Sequence, residues 1–177
     1  MVKAPVQPAG TSYGVLRKSI AMCGKAVAWL TVLMVLLTFA IVILRYGFNL
    51  GWIWVQESLT YLHVMVFTIA AAWTLQQDGH VRVDIFYASM TEPRRALVDL
   101  LGSVLFLVPF CIFVWVISWS YVGNSWKILE TSGEAGGLPW IFILKSLILV
   151  MPALLLGQAF LNMMDAWKTL RKKPAIS

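Results

Sequence analysis

An all-α integral membrane protein with four transmembrane helices is the fold class this sequence predicts, on three observations. Hydrophobic residues make up 60% of the 177 residues and charged residues only 12%, about half the charged share of a soluble domain. The apolar residues gather into four long runs, and the tails and short linking stretches around them hold nearly all the charges and several prolines and glycines. The basic residues behind the net charge of +6 sit at the ends of those runs and form no aromatic-interleaved patch. That pattern suits membrane topology and speaks against nucleic acid.

Taken in order, residues 1–11 are rich in Pro, Ala and Gly and read as a tail. Tyr13 to Lys25 mixes Val15, Leu16, Ile20 and Met22 with Arg17, Lys18 and Lys25. An amphipathic helix lying at the cytoplasmic surface suits that mixture, and a lead-in to the next helix reads almost the same. Residues 1–25 are therefore set down as cytoplasmic tail and interfacial segment. The first span, Ala26 to Leu44, carries no charge and reaches about 28 Å as a helix, close to a bilayer core. Arg45-Tyr46-Gly47 follow it in place of a small-x-small cleavage site, so it is expected to be retained.

The second span is expected at about 53–75 and the third at about 97–122, cleanest from Leu100 to Val122. The third helix has room to start earlier, with Thr91 as cap and Pro93 in the first turn, and Arg95 and Asp99 four apart on one face. The breaker run Gly136-Gly137-Leu138-Pro139 precedes a fourth span at 140–164, and 165–177 form a basic tail. Pro109 and Pro152 fall inside spans, where neighbouring groups must satisfy the freed carbonyls.

Four spans put both termini on one side. Lys3, Arg17, Lys18 and Lys25, then Arg82, Arg94 and Arg95, then Lys168, Arg171, Lys172 and Lys173 all fall on that side. The other two loops hold only Arg45 and Lys127, with Lys145 inside span four. Both termini are expected in the cytoplasm. Trp52, Trp54, Trp126 and Trp140 then gather at the outer interface.

The stretch from Arg45 to Tyr87 concentrates the unusual polar residues. Gln56, Thr60, His63, Phe67, Ala70 and Thr74 share one helical face of span two. His63 lies near the bilayer midplane, where an ionisable group is expected to face protein; a neutral imidazole bonded across a helix–helix contact is the favoured reading. Glu57, Lys145 and Arg45 share one depth near the outer edge. Pairing of Glu57 with Lys145 or Arg45, within the chain or across a subunit contact, is expected because an unpaired buried charge is costly, although both cations could also extend their heads to the surface.

No catalytic constellation emerges. His63 and His80 lie about 25 Å apart if helical and cannot clamp one haem within a chain. Cys23 and Cys111 lack metal-like spacing, and P-loop, HExxH and Ser-His-Asp patterns are absent from the sequence. No cofactor and no enzymatic activity are expected.

Several short motifs carry a resemblance: Arg45-Tyr46 closing span one, Trp54 with Gln56-Glu57 entering span two, Gly79-His80-Val81-Arg82-Val83-Asp84 after it, and Pro139-Trp140 opening span four. Together they resemble the small membrane subunit, or Q-type permease, of tripartite ATP-independent periplasmic (TRAP) transporters. The resemblance implies an inner-membrane scaffold with two protein partners. One is a large, twelve-span-class subunit that holds substrate and sodium sites and moves elevator-fashion. The other is a periplasmic binding protein that delivers an organic anion. The polar pattern and the resemblance together suggest partner-facing roles for Arg45, Trp52, Trp54, Gln56, Glu57, Thr60, His63, His80, Arg82, Asp84 and Lys145. Two further readings stand beside it: an autonomous small homodimeric carrier, and a haem-bearing anchor of a redox enzyme.

Overall fold

Helix α1 (Gly14–Gly47) runs unbroken for 34 residues, about 51 Å at 1.5 Å per residue. The structure is a computed structural model that describes residues 14–77, 79, 87 and 89–171. The segment read as a separate interfacial helix is, from residue 14 onward, the first part of α1. Residues 14–25 contain no proline, and Leu16, Arg17, Lys18, Ala21, Met22 and Lys25 favour the helix, so Gly24 weakens the hydrogen-bonded ladder without breaking it. The lead-in reading is the one that holds. α1 stops where Asn49 turns left-handed, with φ 58°, a conformation asparagine tolerates better than most residues. Phe48 and Leu50 N–H groups then both donate to the Leu44 carbonyl, at 3.3 and 2.9 Å.

The short link brings α2 (Ile53–Gln76) back alongside α1. The third apolar run forms α3 (Glu92–Gly102), a π-helical turn (Ser103–Leu107) and α4 (Val108–Lys127) in direct succession. Thr91 sits at the N-cap with extended backbone and Pro93 lies in the first turn, as the spacing predicts, but the Thr91 side chain makes no capping bond. The π turn has a local cause. Pro109 offers no N–H to the Leu105 carbonyl and its ring crowds that turn, and widening the helix just before the proline relieves both. Helix α5 (Ile141–Arg171) passes straight through Pro152. All four runs yield helices long and apolar enough to cross a membrane.

α5 is the axis of the fold. It packs against α2, α3 and α4, whereas α1 packs chiefly against α2. α5 accordingly carries more buried side chains than any other helix, among them Pro152, Leu155, Gln158, Ala159 and Leu161. The outer surfaces are apolar: Trp29, Phe39, Phe106, Phe113 and Val116 are all more than half exposed, as hydrocarbon-facing side chains should be.

Pro152 leaves the Ile148 carbonyl of α5 without its helical donor, and α4 reaches the neighbouring carbonyl of the same turn. Trp115 Nε1 donates to the Leu149 carbonyl at 2.9 Å. Trp115→Phe keeps an aromatic ring, though a smaller one, and removes the donor, so it should cost about 1 kcal/mol, read as a lower melting temperature in detergent. An unchanged melting temperature would mean that the carbonyl does not depend on the indole.

Candidate functional site: a clamped loop and an open polar face

At the end of the bundle where α1 meets α2, the loop of residues 128–140 folds over the first turns of α2, and two carboxylates hold it. Glu57, in the second turn of α2, accepts a short bond from Ser132 Oγ and another from the Leu138 N–H at 2.6 Å. Inside the loop, Ser132 N donates to Leu138 O at 3.1 Å and Gly137 N to Glu134 O at 3.0 Å. Glycine is required twice here. Gly136 has φ +80°, and a Cβ on Gly137 would lie 2.8 Å from Glu57 Oε1 and overlap Ser132. The breaker run Gly136-Gly137 is thus what lets the loop backbone approach a carboxylate closely enough to donate to it.

The second clamp starts from an unusual helix end. Leu129, φ 46°, occupies the left-handed position that normally selects glycine. The Glu130 N–H bonds back to the Ser125 carbonyl at 3.0 Å. This strained residue turns the chain so that Glu130 meets Lys145 of α5, with Oε2 to Nζ at 2.5 Å. The same ammonium lies 4.2 Å from the Tyr121 ring centroid, a cation–π contact that adds to the pair. Trp126 closes this side, donating to Ser146 Oγ at 2.8 Å and standing edge-on to Phe142.

These contacts correct one expectation. Lys145 pairs with Glu130, not with Glu57, and among the described residues Glu57 forms no ion pair with Arg45 either. The loop's neutral donors satisfy Glu57 instead. Sequence reasoning missed Glu130, Ser132 and Leu138; only Gly136-Gly137 gave any signal of a close backbone approach.

The Lys145 ammonium holds the Glu130 carboxyl below its ordinary value of 4.5. A depressed carboxylate contributes stability above its ordinary pKa and loses it as pH falls through the lower folded value. The melting-temperature gap between the unaltered chain and Glu130→Gln should therefore be full at pH 6, persist down to about pH 4.5, and close only below that. A gap that closes well above pH 4.5 would contradict the pairing.

Beside the clamp lies an open cleft of about 420 Å³, lined by Arg45, Ile53, Gln56, Glu57, Thr60 and Glu134. Trp52 and Trp54, each about half exposed, stand at the same end. From the cleft the polar face of α2 continues along the helix, with Thr60, His63 and Phe67 all exposed. α2 instead buries Thr68 and Ala72, on its other side. His63 thus lies on no helix contact within the chain, and no hydrogen bond to it is found among the described residues, so the within-chain interhelical bond is not formed.

At the opposite end, Tyr87 Oη donates to Asp99 at 2.7 Å, and the Arg95 guanidinium lies 5.4 Å from the Tyr87 ring centroid. The expected cytoplasmic block of His80, Arg82 and Asp84 lies outside the described residues. Among the described residues, no group of three His, Cys, Asp or Glu side chains is placed to hold a metal ion.

The arrangement is one of anchoring, with carboxylates spent on holding a loop and a polar face left open. Comparison with known proteins identifies the family. Residues 34–169 match the family described as tripartite ATP-independent periplasmic transporters, DctQ component. One relative is the C4-dicarboxylate TRAP transporter small permease protein DctQ of Vibrio cholerae serotype O1, 31% identical over 88 residues. That alignment covers 50% of this chain and 38% of the relative, so it spans well under two thirds of the relative's length. No solved structure matches the chain. The family match reaches from the middle of α1 to the last turn of α5, across all four apolar helices, and the chain belongs to the DctQ component family of tripartite ATP-independent periplasmic transporters.

Proposed function

We propose that the chain serves as the small scaffold subunit of an inner-membrane TRAP transporter. In this reading it supports a large sodium-coupled elevator subunit that imports an organic anion delivered by a periplasmic binding protein. The observation that carries the reading is the open face of α2. Thr60, His63 and Phe67 are exposed on a helix that crosses the apolar layer, and an imidazole at that depth is costly against lipid tails. A partner helix covering the face removes that cost. The distribution of basic residues supports cytoplasmic termini, which would put Arg45, Trp52, Trp54 and the clamped loop on the periplasmic side, within reach of a binding protein. The domain reading is retained on this basis: a membrane unit of four spans between an N-terminal segment and a basic C-terminal tail. His80, Arg82 and Asp84 are proposed as a cytoplasmic contact with the large subunit.

His63→Leu separates a partner face from a lipid face. Against lipid, leucine is better tolerated than histidine and recovery of the complex should not fall. Against a partner helix, losing the polar contact should lower co-purification of the large subunit about threefold. Co-expression of the three proteins, with and without this chain, tests the function itself. Uptake of an organic anion, a C4-dicarboxylate being the first to try, should require the chain. Uptake that persists unchanged in its absence would reject the scaffold role.

A further inference from the structure

The cleft beside Glu57 holds charges of both signs that the chain leaves unmatched. Arg45 and Glu134 line it and both are exposed, and neither belongs to an ion pair among the described residues. They face one cleft without meeting each other, so a ligand carrying both an anion and a cation would satisfy the two together. Glu57 on the same wall is already engaged by Ser132 and Leu138. Gln56 and Thr60 add an amide and a hydroxyl, and Ile53 adds an apolar edge.

The depth of the cleft narrows the ligand. Arg45 lies in the last turn of α1, and Gln56 and Glu57 lie at the start of α2, so the cleft sits where the apolar layer ends. Exposed Trp52 and Trp54 mark the same level, the level at which indoles meet lipid headgroups. Two carboxylates against one guanidinium disfavour a ligand that is only anionic. They favour one whose cation can also donate hydrogen bonds, since charge-assisted bonds are the strong ones.

We propose that this cleft binds the headgroup of a zwitterionic phospholipid bearing a primary ammonium, its phosphate on Arg45 and its ammonium on Glu134, with the tails entering the bilayer below the cleft. A trimethylated ammonium has no N–H for Glu134, and a glycerol headgroup has no cation at all. The cleft therefore selects ethanolamine over both.

The test is native mass spectrometry of the full chain, released from detergent with an equimolar mixture of phosphatidylethanolamine, phosphatidylcholine and phosphatidylglycerol of the same acyl composition. The ethanolamine lipid should be retained about tenfold over the other two, the scale of one charge-assisted bond. Glu134→Gln should erase its advantage over phosphatidylcholine, and Arg45→Gln should lower retention of both. Equal retention of the three lipids by the unaltered chain, or a preference that survives both substitutions, would overturn the assignment; the lipid panel alone decides it if a variant fails to fold. Capture of free phosphoethanolamine without lipid would assign the cleft to a soluble zwitterion instead. A cleft that retains no lipid, and is shielded only when the large subunit is added, would assign it to a protein partner.

Discussion

Glu57→Ala is expected to release the loop of residues 128–140 from the bundle, and the backbone amide of Leu138 reports it. That N–H donates to Glu57 Oε2 at 2.6 Å, and Ser132 Oγ donates to Oε1. Removing the carboxylate leaves both donors without their acceptor, in a loop whose own bonds, such as Ser132 N to Leu138 O, close only while the two strands of the loop stay together. Hydrogen exchange at Leu138 should accelerate on the order of tenfold or more, because the amide then opens with the loop and no longer with the helix. Glu57→Gln keeps one carbonyl acceptor and loses the charge, so it should fall between the two. Gly137→Ala approaches the same contact from the other side, since its Cβ would crowd Glu57 Oε1 at 2.8 Å, and it should also speed exchange at Leu138. The Glu130–Lys145 pair is separate from this clamp and should hold residues 128–131 in place in all three variants. Exchange at Leu138 that does not change in Glu57→Ala would mean the carboxylate is not what holds the loop.

The four helices were legible because the membrane imposes a simple rule: every backbone group in the apolar layer must be paired within its own helix, so apolar runs of sufficient length become helices. Thr91 and Pro93 mark a helix start for equally local reasons. The clamps were not legible. Glu57 meets Leu138 across 81 positions, and nothing in the spacing of either residue announces the other. The Glu130–Lys145 pair depends on Leu129 adopting a left-handed backbone, which leucine gives no reason to expect. Depth alone suggested that Glu57, Arg45 and Lys145 would pair, and depth was the right coordinate but an incomplete one. The loop supplies neutral donors and a carboxylate at the same level, and these compete successfully for Glu57 and Lys145. The exposed side of α2 was readable as a polar stripe, but its direction was not. Only the packing of α2 through Thr68 and Ala72 shows that His63 points away from the chain's own helices.

Gly24→Ala should loosen α1 from the rest of the protein. A Cβ at this position would fall within the Trp73 indole, in contact with Cγ, Cδ1 and Cδ2 together. The ring therefore lies flat on the α1 backbone, and only glycine admits that approach. Overpacking of this kind costs about 1–3 kcal/mol, and its effect is concentrated because α1 packs chiefly against α2. No second interface of comparable extent holds the helix, and its outward side chains, Trp29 and Phe39 among them, are largely exposed. The expected result is a lower melting temperature, with α1 the first element to lose amide protection. A double-mutant cycle isolates the contact. Trp73→Ala alone should also destabilise, by removing the packed ring. In the Gly24→Ala background the same change removes the overlap as well, so the double variant should be more stable than the sum of the two single losses predicts. If the losses simply add, the glycine and the indole do not touch, and α1 must be held in some other way.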